Sequence, residues 1–389
     1  MKKVVLAYSG GLDTSVAIRW LRDRGYEVVA YMADVGQEKT TRAAMDRAKK
    51  AGASKVVVKD LKKKFVTDYL WPSLAAGAVY EGRYLLATAL SRPLIAAEQV
   101  RVAHAEKATA VAHGCTGKGN DQVRFEVTIQ ALDSSLEIIA PVREWEFKSR
   151  EEEIQFAQRH RIPLDVTKKN PFSIDKNIWG VSVEAGVLEN PDTEPPPGAF
   201  QWTRGAEKRN LRERVIEIEF NRGIPVGMNG RRQEGTRLIE ALNELGAQYG
   251  IGRADLIENR LVGIKSRETY EAPAAAILHQ AHRDLESLVL DRELLHFKER
   301  ISLKYAELVY YGLWFTPLKK ALDAFVEMTQ GPVTGCVRVK LRKYSSQVVG
   351  RSSPNSLYKE SLATYTAKDT FDQKLAKGFI DLWALPYKK

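Results

Sequence analysis

Residues 4–15 read Val4-Val5-Leu6-Ala7-Tyr8-Ser9-Gly10-Gly11-Leu12-Asp13-Thr14-Ser15. The apolar run Val4–Ala7 has the character of a central parallel strand, buried on both faces. Gly10 and Gly11 lack Cβ atoms, so the chain can turn sharply and bring backbone N–H groups close to an anion. Val16, Ile18, Trp20 and Leu21 then space as a helix whose N-terminus faces the loop. Strand, glycine turn and helix together form a phosphate cradle, to which Ser9, Thr14 and Ser15 add hydroxyl donors.

Two common nucleotide loops are excluded by spacing. The Gly-x-x-x-x-Gly-Lys-Ser/Thr loop needs a lysine, and none lies between Lys3 and Lys39; Gly-x-Gly-x-x-Gly needs alternate glycines, and these are adjacent. The order Ser-Gly-Gly-x-Asp-Ser/Thr-Ser after a first strand instead resembles the loop of ATP pyrophosphatases, which cut ATP between its α and β phosphates.

The bulk numbers frame this reading. A chain of 389 residues has length for two or three domains, and 44% hydrophobic with 28% charged residues is ordinary for a globular protein. No stretch approaches the ~20 apolar residues that span a bilayer, and Met1-Lys2-Lys3 runs straight into the first strand. Two cysteines, Cys115 and Cys336, argue against a disulfide scaffold, so a cytoplasmic location and no membrane partner are expected. The net charge of +11 raises nucleic acid as a partner. Its basic clusters, such as Lys62-Lys63-Lys64 and Arg231-Arg232, lack interleaved aromatics and read as solvated surface, so no nucleic acid is expected.

Strand and helix alternate through the first 165 residues. Strands are expected at Glu27–Asp34, Lys55–Val58, Ala110–Gly114 and Glu137–Pro141, with helices at Thr40–Lys50 and Arg150–Arg159. This rhythm predicts an α/β fold with a doubly wound parallel sheet, an ATP pyrophosphatase domain of the adenine nucleotide alpha hydrolase-like kind. Beyond Pro163 the pattern changes: 165–210 shows weak periodicity, Arg214–Asn229 reads as a hairpin turning at Asn221-Arg222-Gly223, and Gly235–Gln248 and Ala274–Met328 read as helical. Val337–Leu341 and Gln347–Gly350 form a further hairpin. The expected division is 1–165 for nucleotide binding, 166–375 for an α+β synthetase domain, and a short tail over 376–389.

A second dense stretch runs from His113 to Glu126. Gly114, Gly117 and Gly119 would let the backbone wrap a ligand, and Thr116, Lys118, Asn120, Asp121 and Arg124 surround them with polar groups. Arg124 can fork onto a carboxylate, and Asp121 can accept from an amine.

From here the chain closely resembles the argininosuccinate synthase family over residues 3 to about 380. The likeness rests on Ala7–Ser15, Tyr80–Leu86, Thr116–Glu126, Asn170-Pro171-Phe172-Ser173, Gly186–Glu189, Ile257–Arg260, Lys265-Ser266-Arg267 and Ala306–Tyr310. It implies ATP-dependent condensation of citrulline with aspartate to argininosuccinate, AMP and pyrophosphate, through a citrullyl-adenylate. ATP is then a substrate, Mg²⁺ accompanies its phosphates, and no prosthetic group or protein-held metal is implied. By the resemblance, Ala7, Tyr8, Ser9, Gly10, Gly11, Leu12, Asp13, Thr14, Ser15, Ala33 and Gly114 bind ATP. Thr116, Asn120 and Asp121 hold aspartate, while Tyr84, Asn120, Arg124, Ser173, Ser182, Glu258 and Tyr270 hold citrulline. Ser9, Asp13 and Asp121 take the catalytic roles. Copies of the chain would form a homo-oligomer, a tetramer in the family.

Departures from the family pattern are Ala89, where a serine is usual, and Gly180-Val181-Ser182-Val183-Glu184. A weaker citrulline site is expected from the missing hydroxyl. The tail after Trp383 reads as shortened relative to the family, which would weaken the tetramer contact. A tRNA-modifying enzyme with the same loop, of the thiolase or lysidine synthetase type, is the rival reading, and Cys115 and the pair His279/His282 read as packing residues.

Overall fold

The computed structural model describes residues 1–37, 42–163, 172–209 and 211–389. Five parallel strands form the first sheet: β1 (Lys2–Ala7), β2 (Tyr26–Asp34), β3 (Lys55–Asp60), β4 (Ala110–His113) and β5 (Glu137–Ile139), in the order β3-β2-β1-β4-β5. Alternation along these strands feeds two cores. Val4, Leu6, Val28, Ala30, Ala110 and Ala112 pack with Val16, Ile18, Trp20 and Leu21 of the helix Leu12–Asp23. Val5, Val29, Tyr31 and Val111 point the other way, onto the helices Ala87–Ala105 and Asp121–Leu132. Strand order reverses at β1, so a crevice opens beyond the carboxyl ends of β1 and β4.

The expected strands of this half are present, each within a few residues of its predicted bounds, and the helix Arg150–Arg159 matches its predicted span. The first residues of the helix predicted from Thr40 lie outside the described residues, as do Asn170 and Pro171.

The second half carries two antiparallel sheets. One contains β6 (Ser173–Asn177), β7 (Gly180–Glu184), β11 (Arg253–Asn259) and β12 (Lys265–Glu271), in the order β11-β12-β7-β6. The other contains β8 (Arg214–Asn221), β9 (Ile224–Met228), β10 (Arg231–Arg232), β13 (Gly335–Arg342) and β14 (Ser345–Ser352), in the order β10-β9-β8-β13-β14. The predicted hairpins are β8–β9 and β13–β14, whereas β6, β7, β11 and β12 escaped the sequence reading. Helices Gly235–Tyr249, Pro273–Val289, Arg292–Tyr310 and Pro317–Thr329 cover the sheets. Their core also takes in Phe65, Leu70, Leu74, Leu90 and Leu94 from the first half of the chain. That shared core fixes the polar face of β6–β7–β12–β11 opposite the parallel-sheet crevice.

Candidate active site

A cavity of about 920 Å³ occupies this meeting point. Its floor is the glycine loop. Gly10 has φ +84°, a backbone state suited to glycine, and Gly11 is the N-cap of the first helix. Ser9 Oγ accepts from Gly11 N–H at 3.2 Å and lies 3.1 Å from Thr14 Oγ1, so the hydroxyls sit at the helix start. Ser15 Oγ instead donates to Gly11 O at 2.7 Å and braces the turn from within. Gly114 closes the other side of the crevice; a Cβ there would lie 2.7 Å from Thr14 Cγ2, so only glycine lets the two loops meet.

The middle of the cavity is an arginine–carboxylate cluster. Asp121 starts the helix Asp121–Leu132 and accepts from Arg124 Nη1 at 2.8 Å and from Arg92 Nε at 2.8 Å. Burial pushes the Asp121 carboxyl up, but these two guanidiniums outweigh it and hold it below the ordinary aspartate range. Arg92 also bridges to Asp175 on β6, whose own carboxyl burial pushes upward. Arg124 is 4% exposed, donates from Nε to Tyr310 O at 2.9 Å, and keeps Nη2 buried without a hydrogen-bond partner. An unmatched guanidinium nitrogen on a cavity wall calls for an anionic ligand group. Asn120 is committed on both sides of its amide: Nδ2 donates to Tyr310 OH at 2.8 Å, and Oδ1 accepts from Leu261 N–H at 2.8 Å.

The register of the second sheet supplies the facing wall. Tyr270 pairs with Ser182, Asp175 with Ser182, Ser173 with Glu184, and Leu256 with Glu268. Because successive residues alternate faces, Ser173, Asp175, Ser182, Glu184, Glu258, Glu268 and Tyr270 all share one face. All seven line the cavity. On the opposite face Val181 and Val183 pack with Leu188 and Ala199, and Glu271 accepts backbone N–H bonds from Gln201, Trp202 and Thr203. Tyr84 stacks on Tyr270 with centroids 4.2 Å apart, while its hydroxyl accepts from Thr88 and Ala89 N–H at 3.2 and 3.4 Å. The phenol therefore caps the helix Ala87–Ala105 and keeps its own hydrogen for the cavity.

The structure brings most of the predicted residues together. Ala7, Tyr8, Ser9, Gly10, Thr14, Ala33, Gly114, Thr116, Asn120, Asp121, Arg124, Tyr84, Ser173, Ser182, Glu258 and Tyr270 line the one cavity. Gly11, Leu12, Asp13 and Ser15 belong to the same loop and helix start but are not among the residues lining the cavity. Asp13 faces Glu153 on the neighbouring helix; burial and this second carboxyl push the Glu153 acid up to about 8. Ala89 is fully buried, but Thr88 reaches the cavity and sits 3.3 Å from Ser182 Oγ. His282 is buried and bonded to Gln330 at 2.9 Å.

Sequence reasoning missed Arg92, Asp175, Glu184, Arg260 and Glu268, all of which line the cavity. Thr88, Arg92 and Ile95 fall at helical spacing i, i+4, i+7, which sets Arg92 on the same helix face as Thr88. The carboxylates carry a period of two in polar rather than apolar residues, which hides a strand from a hydrophobic pattern.

Comparison with known proteins agrees over the whole chain. Residues 3–163 match the family described as Arginosuccinate synthase N-terminal HUP domain, and residues 172–389 match Arginosuccinate synthase C-terminal domain. Argininosuccinate synthase of Chlorobaculum tepidum is 55% identical over 389 residues, covering 100% of this chain and 97% of its own. The namesake from Carboxydothermus hydrogenoformans is 54% identical over 388 residues, with the same coverage of 100% and 97%. A solved structure described as a predicted subunit of tRNA methyltransferase from Methanocaldococcus jannaschii gives a TM-score of 0.27 at 17% identity. It covers 41% of this chain and 76% of its own, a likeness too slight to assign a fold.

Proposed function

This chain belongs to the argininosuccinate synthase family, and from that premise we propose how its residues divide the work. The reaction is the ATP-dependent ligation of citrulline and aspartate to argininosuccinate, with release of AMP and pyrophosphate. Membership of this family leaves the tRNA-modifying alternative unfavoured.

The ureido carbonyl of citrulline is a poor electrophile. Its oxygen first bonds to the α-phosphorus of ATP while the bond to the β-phosphate oxygen breaks. The amine of aspartate then bonds to the activated carbon, AMP departs with the former ureido oxygen, and the nitrogen loses a proton. No covalent nucleophile from the protein is needed, so the residues act by holding reactants in line and neutralising charge.

In our reading the backbone N–H groups of Ser9 to Ser15 and the hydroxyls of Ser9 and Thr14 receive the pyrophosphate, with Ala7, Tyr8, Ala33 and Gly114 against the rest of the nucleotide. Arg124 binds the citrulline carboxylate through its unmatched Nη2. Glu258 takes the citrulline ammonium, and Tyr84, Asn120, Ser173, Ser182 and Tyr270 orient the remainder. Thr116, Asn120 and Asp121 hold aspartate. Asp121, clamped by two arginines, is a fixed anion that orients the attacking amine rather than a base that removes its proton. The observation that carries this reading is the single cavity joining the glycine loop to Arg124 and the polar sheet face.

Mg²⁺ on the phosphates would screen their charge and make pyrophosphate a better leaving group. Asp13 is the carboxylate at the loop suited to such an ion, and its neighbour Glu153 keeps Oε2 buried with no hydrogen-bond partner. Ser9 and Asp13 thus complete the catalytic set with Asp121.

We place residues 1–165 with nucleotide binding, 166–375 with the two amino acids and 376–389 as a tail. A homo-oligomer is supported by the apolar surface after Phe371, where Leu375, Phe379, Leu382 and Trp383 are each 62–70% exposed. A cytoplasmic setting is supported by two unpaired cysteines, and no described helix is long and apolar enough to cross a membrane.

Pyrophosphate release from ATP, measured with citrulline and aspartate omitted in turn, tests the assignment. Release that requires citrulline is expected, with AMP formed one for one. Release indifferent to citrulline overturns it.

A further inference from the structure

Glu268 has no part in the division of work above, yet it lines the same cavity as Glu258. Both carboxyls reach one phenol: Tyr270 OH lies 3.1 Å from Glu258 Oε2 and 2.9 Å from Glu268 Oε2. A phenol has a single hydrogen to donate. Two ionised carboxylates cannot both be satisfied by it; Tyr310 also reaches Glu258, but Glu258 is only 3% exposed, so little water completes its shell.

The surrounding charges deepen the imbalance. Arg260, from the β11–β12 turn, lies 3.1 Å from Glu268 Oε1 and also bonds Glu184 on β7, so one guanidinium serves two carboxylates. Arg124 feels the Glu258 charge across the cavity but donates to Asp121 and Tyr310 O. Tyr80, Tyr84 and Tyr310, also packed here, are phenols whose burial keeps them neutral, and Asp121 adds a further negative charge towards Glu184. Glu184 and Glu268 thus share one guanidinium, and Glu258 has only the more distant charge of Arg124. Separately, Arg124 lines the same cavity and keeps Nη2 buried without a hydrogen-bond partner. A vacant anion seat near an over-supplied acidic corner is what an α-amino acid fits, carboxylate to the arginine and ammonium to the acids.

We propose that Glu258 and Glu268 together seat the α-ammonium of citrulline, and that in the empty site the pair holds one shared proton which the incoming ammonium displaces into solvent. This rests on the reading of the cavity as the citrulline site and adds to it a specificity residue and a proton count. When no ligand is present the proton lies between the two acids, which are within hydrogen-bonding reach of each other as well as of Tyr270. An ammonium brings three N–H donors and a full positive charge, so both acids ionise on it and the shared proton is released. No bond other than this O–H bond breaks.

Burial and the neighbouring Glu258 push the Glu268 acid up to about 7, which places the exchange in an accessible range. Below pH 7 the empty pair is protonated, and binding must expel that proton. Citrulline affinity therefore falls with decreasing pH, at most tenfold per unit, and levels off above pH 7.

The test is calorimetric titration of citrulline into the full chain at pH 6.5, in two buffers of different ionisation enthalpy. A methylene-bridged ATP analogue that cannot be cut at the α–β position is present throughout. Release of most of one proton per citrulline is expected from the wild type. Glu268→Gln should bind at least tenfold more weakly, release no proton, and show an affinity flat between pH 5.5 and 7.5. The desamino analogue, 5-ureidopentanoate, tests the wild type without any substitution and should bind with no proton release. Citrulline binding to the wild type without proton release overturns the inference alone, as does a Glu268→Gln variant that still releases it. No citrulline binding, together with pyrophosphate release indifferent to citrulline, overturns the parent reading as well.

Discussion

Arg124 illustrates how much one side chain can be asked to do. Its Nη1 clamps Asp121, its Nε is tied to Tyr310 O, its plane lies over the Tyr310 ring at 4.8 Å, and Nη2 waits for a ligand. A lysine offers a point charge and cannot hold these directions at once. Arg124→Lys should therefore raise the citrulline KM by tenfold or more, from loss of a charge-assisted bond of ~1.5–3 kcal/mol. Steady-state kinetics with each substrate varied will check this: the ATP KM should stay within about twofold, and an equal rise in both would count against the assignment. Arg124 and Asp121 were legible in the sequence because a helix start after a glycine-rich loop is dense in polar groups. Tyr84, Glu258 and Tyr270 were legible only through family resemblance, since nothing in their local chemistry marks them. Glu268 was not legible at all: it stands in a charged strand, and its role depends on Tyr270, Glu258 and Arg260 being brought round it.

At the scale of elements, the two sheets differ in what their sequences disclose. β1, β2 and β4 are buried on both faces, so their apolar runs announce them. β11 reads Arg-Ala-Asp-Leu-Ile-Glu-Asn and β12 reads Lys-Ser-Arg-Glu-Thr-Tyr-Glu, with no apolar alternation. Their cavity face is built for ligands, and function has taken the positions a hydrophobic pattern would need. The junction of the first helix with the loop after β4 offers a sharp test. Gly114→Ala would set a Cβ 2.7 Å from Thr14 Cγ2, and overpacking of this kind costs ~1–3 kcal/mol. We expect Tm to fall by a few degrees and the ATP KM to rise at least tenfold, with the citrulline KM much less affected. A thermal melt with substrate-resolved kinetics checks both, and an unchanged ATP KM would show that the two loops do not share the nucleotide.

At the scale of the whole molecule, the division along the chain is not the division in space. Phe65, Leu70, Leu74 and Leu94 precede residue 165, yet they pack in one core with Leu238, Ile277, Leu285 and Val337. That interlock holds the nucleotide loop against the amino-acid face. The segment beyond Ser352 behaves differently. Its helix Leu375–Trp383 contributes no buried residue, and Phe379 stacks on Trp383 in the open. Such a surface is stable in water when a second copy covers it. Removing residues 356–389 should lower the assembly state seen by light scattering coupled to size exclusion, while the cavity residues, all before residue 271, remain. An unchanged mass per particle relative to the intact chain would place the subunit contact elsewhere.

The sequence by itself determined the phosphate loop, the alternation of strand and helix around it and the chemistry that cuts ATP between α and β. Those features are local: a glycine turn, an apolar strand and a helix start lie within a dozen residues and need no partner to be recognised. Only the tertiary structure decided the amino-acid half of the site. Its wall assembles residues 173 to 270 on strands that pair out of sequence order, and the register β11-β12-β7-β6 puts seven polar side chains on one face. Whether a given glutamate there is an ordinary surface acid or half of a proton-sharing pair depends on burial and on neighbours as far along the chain as Arg124 is from Glu258. Those quantities exist only once the chain has folded.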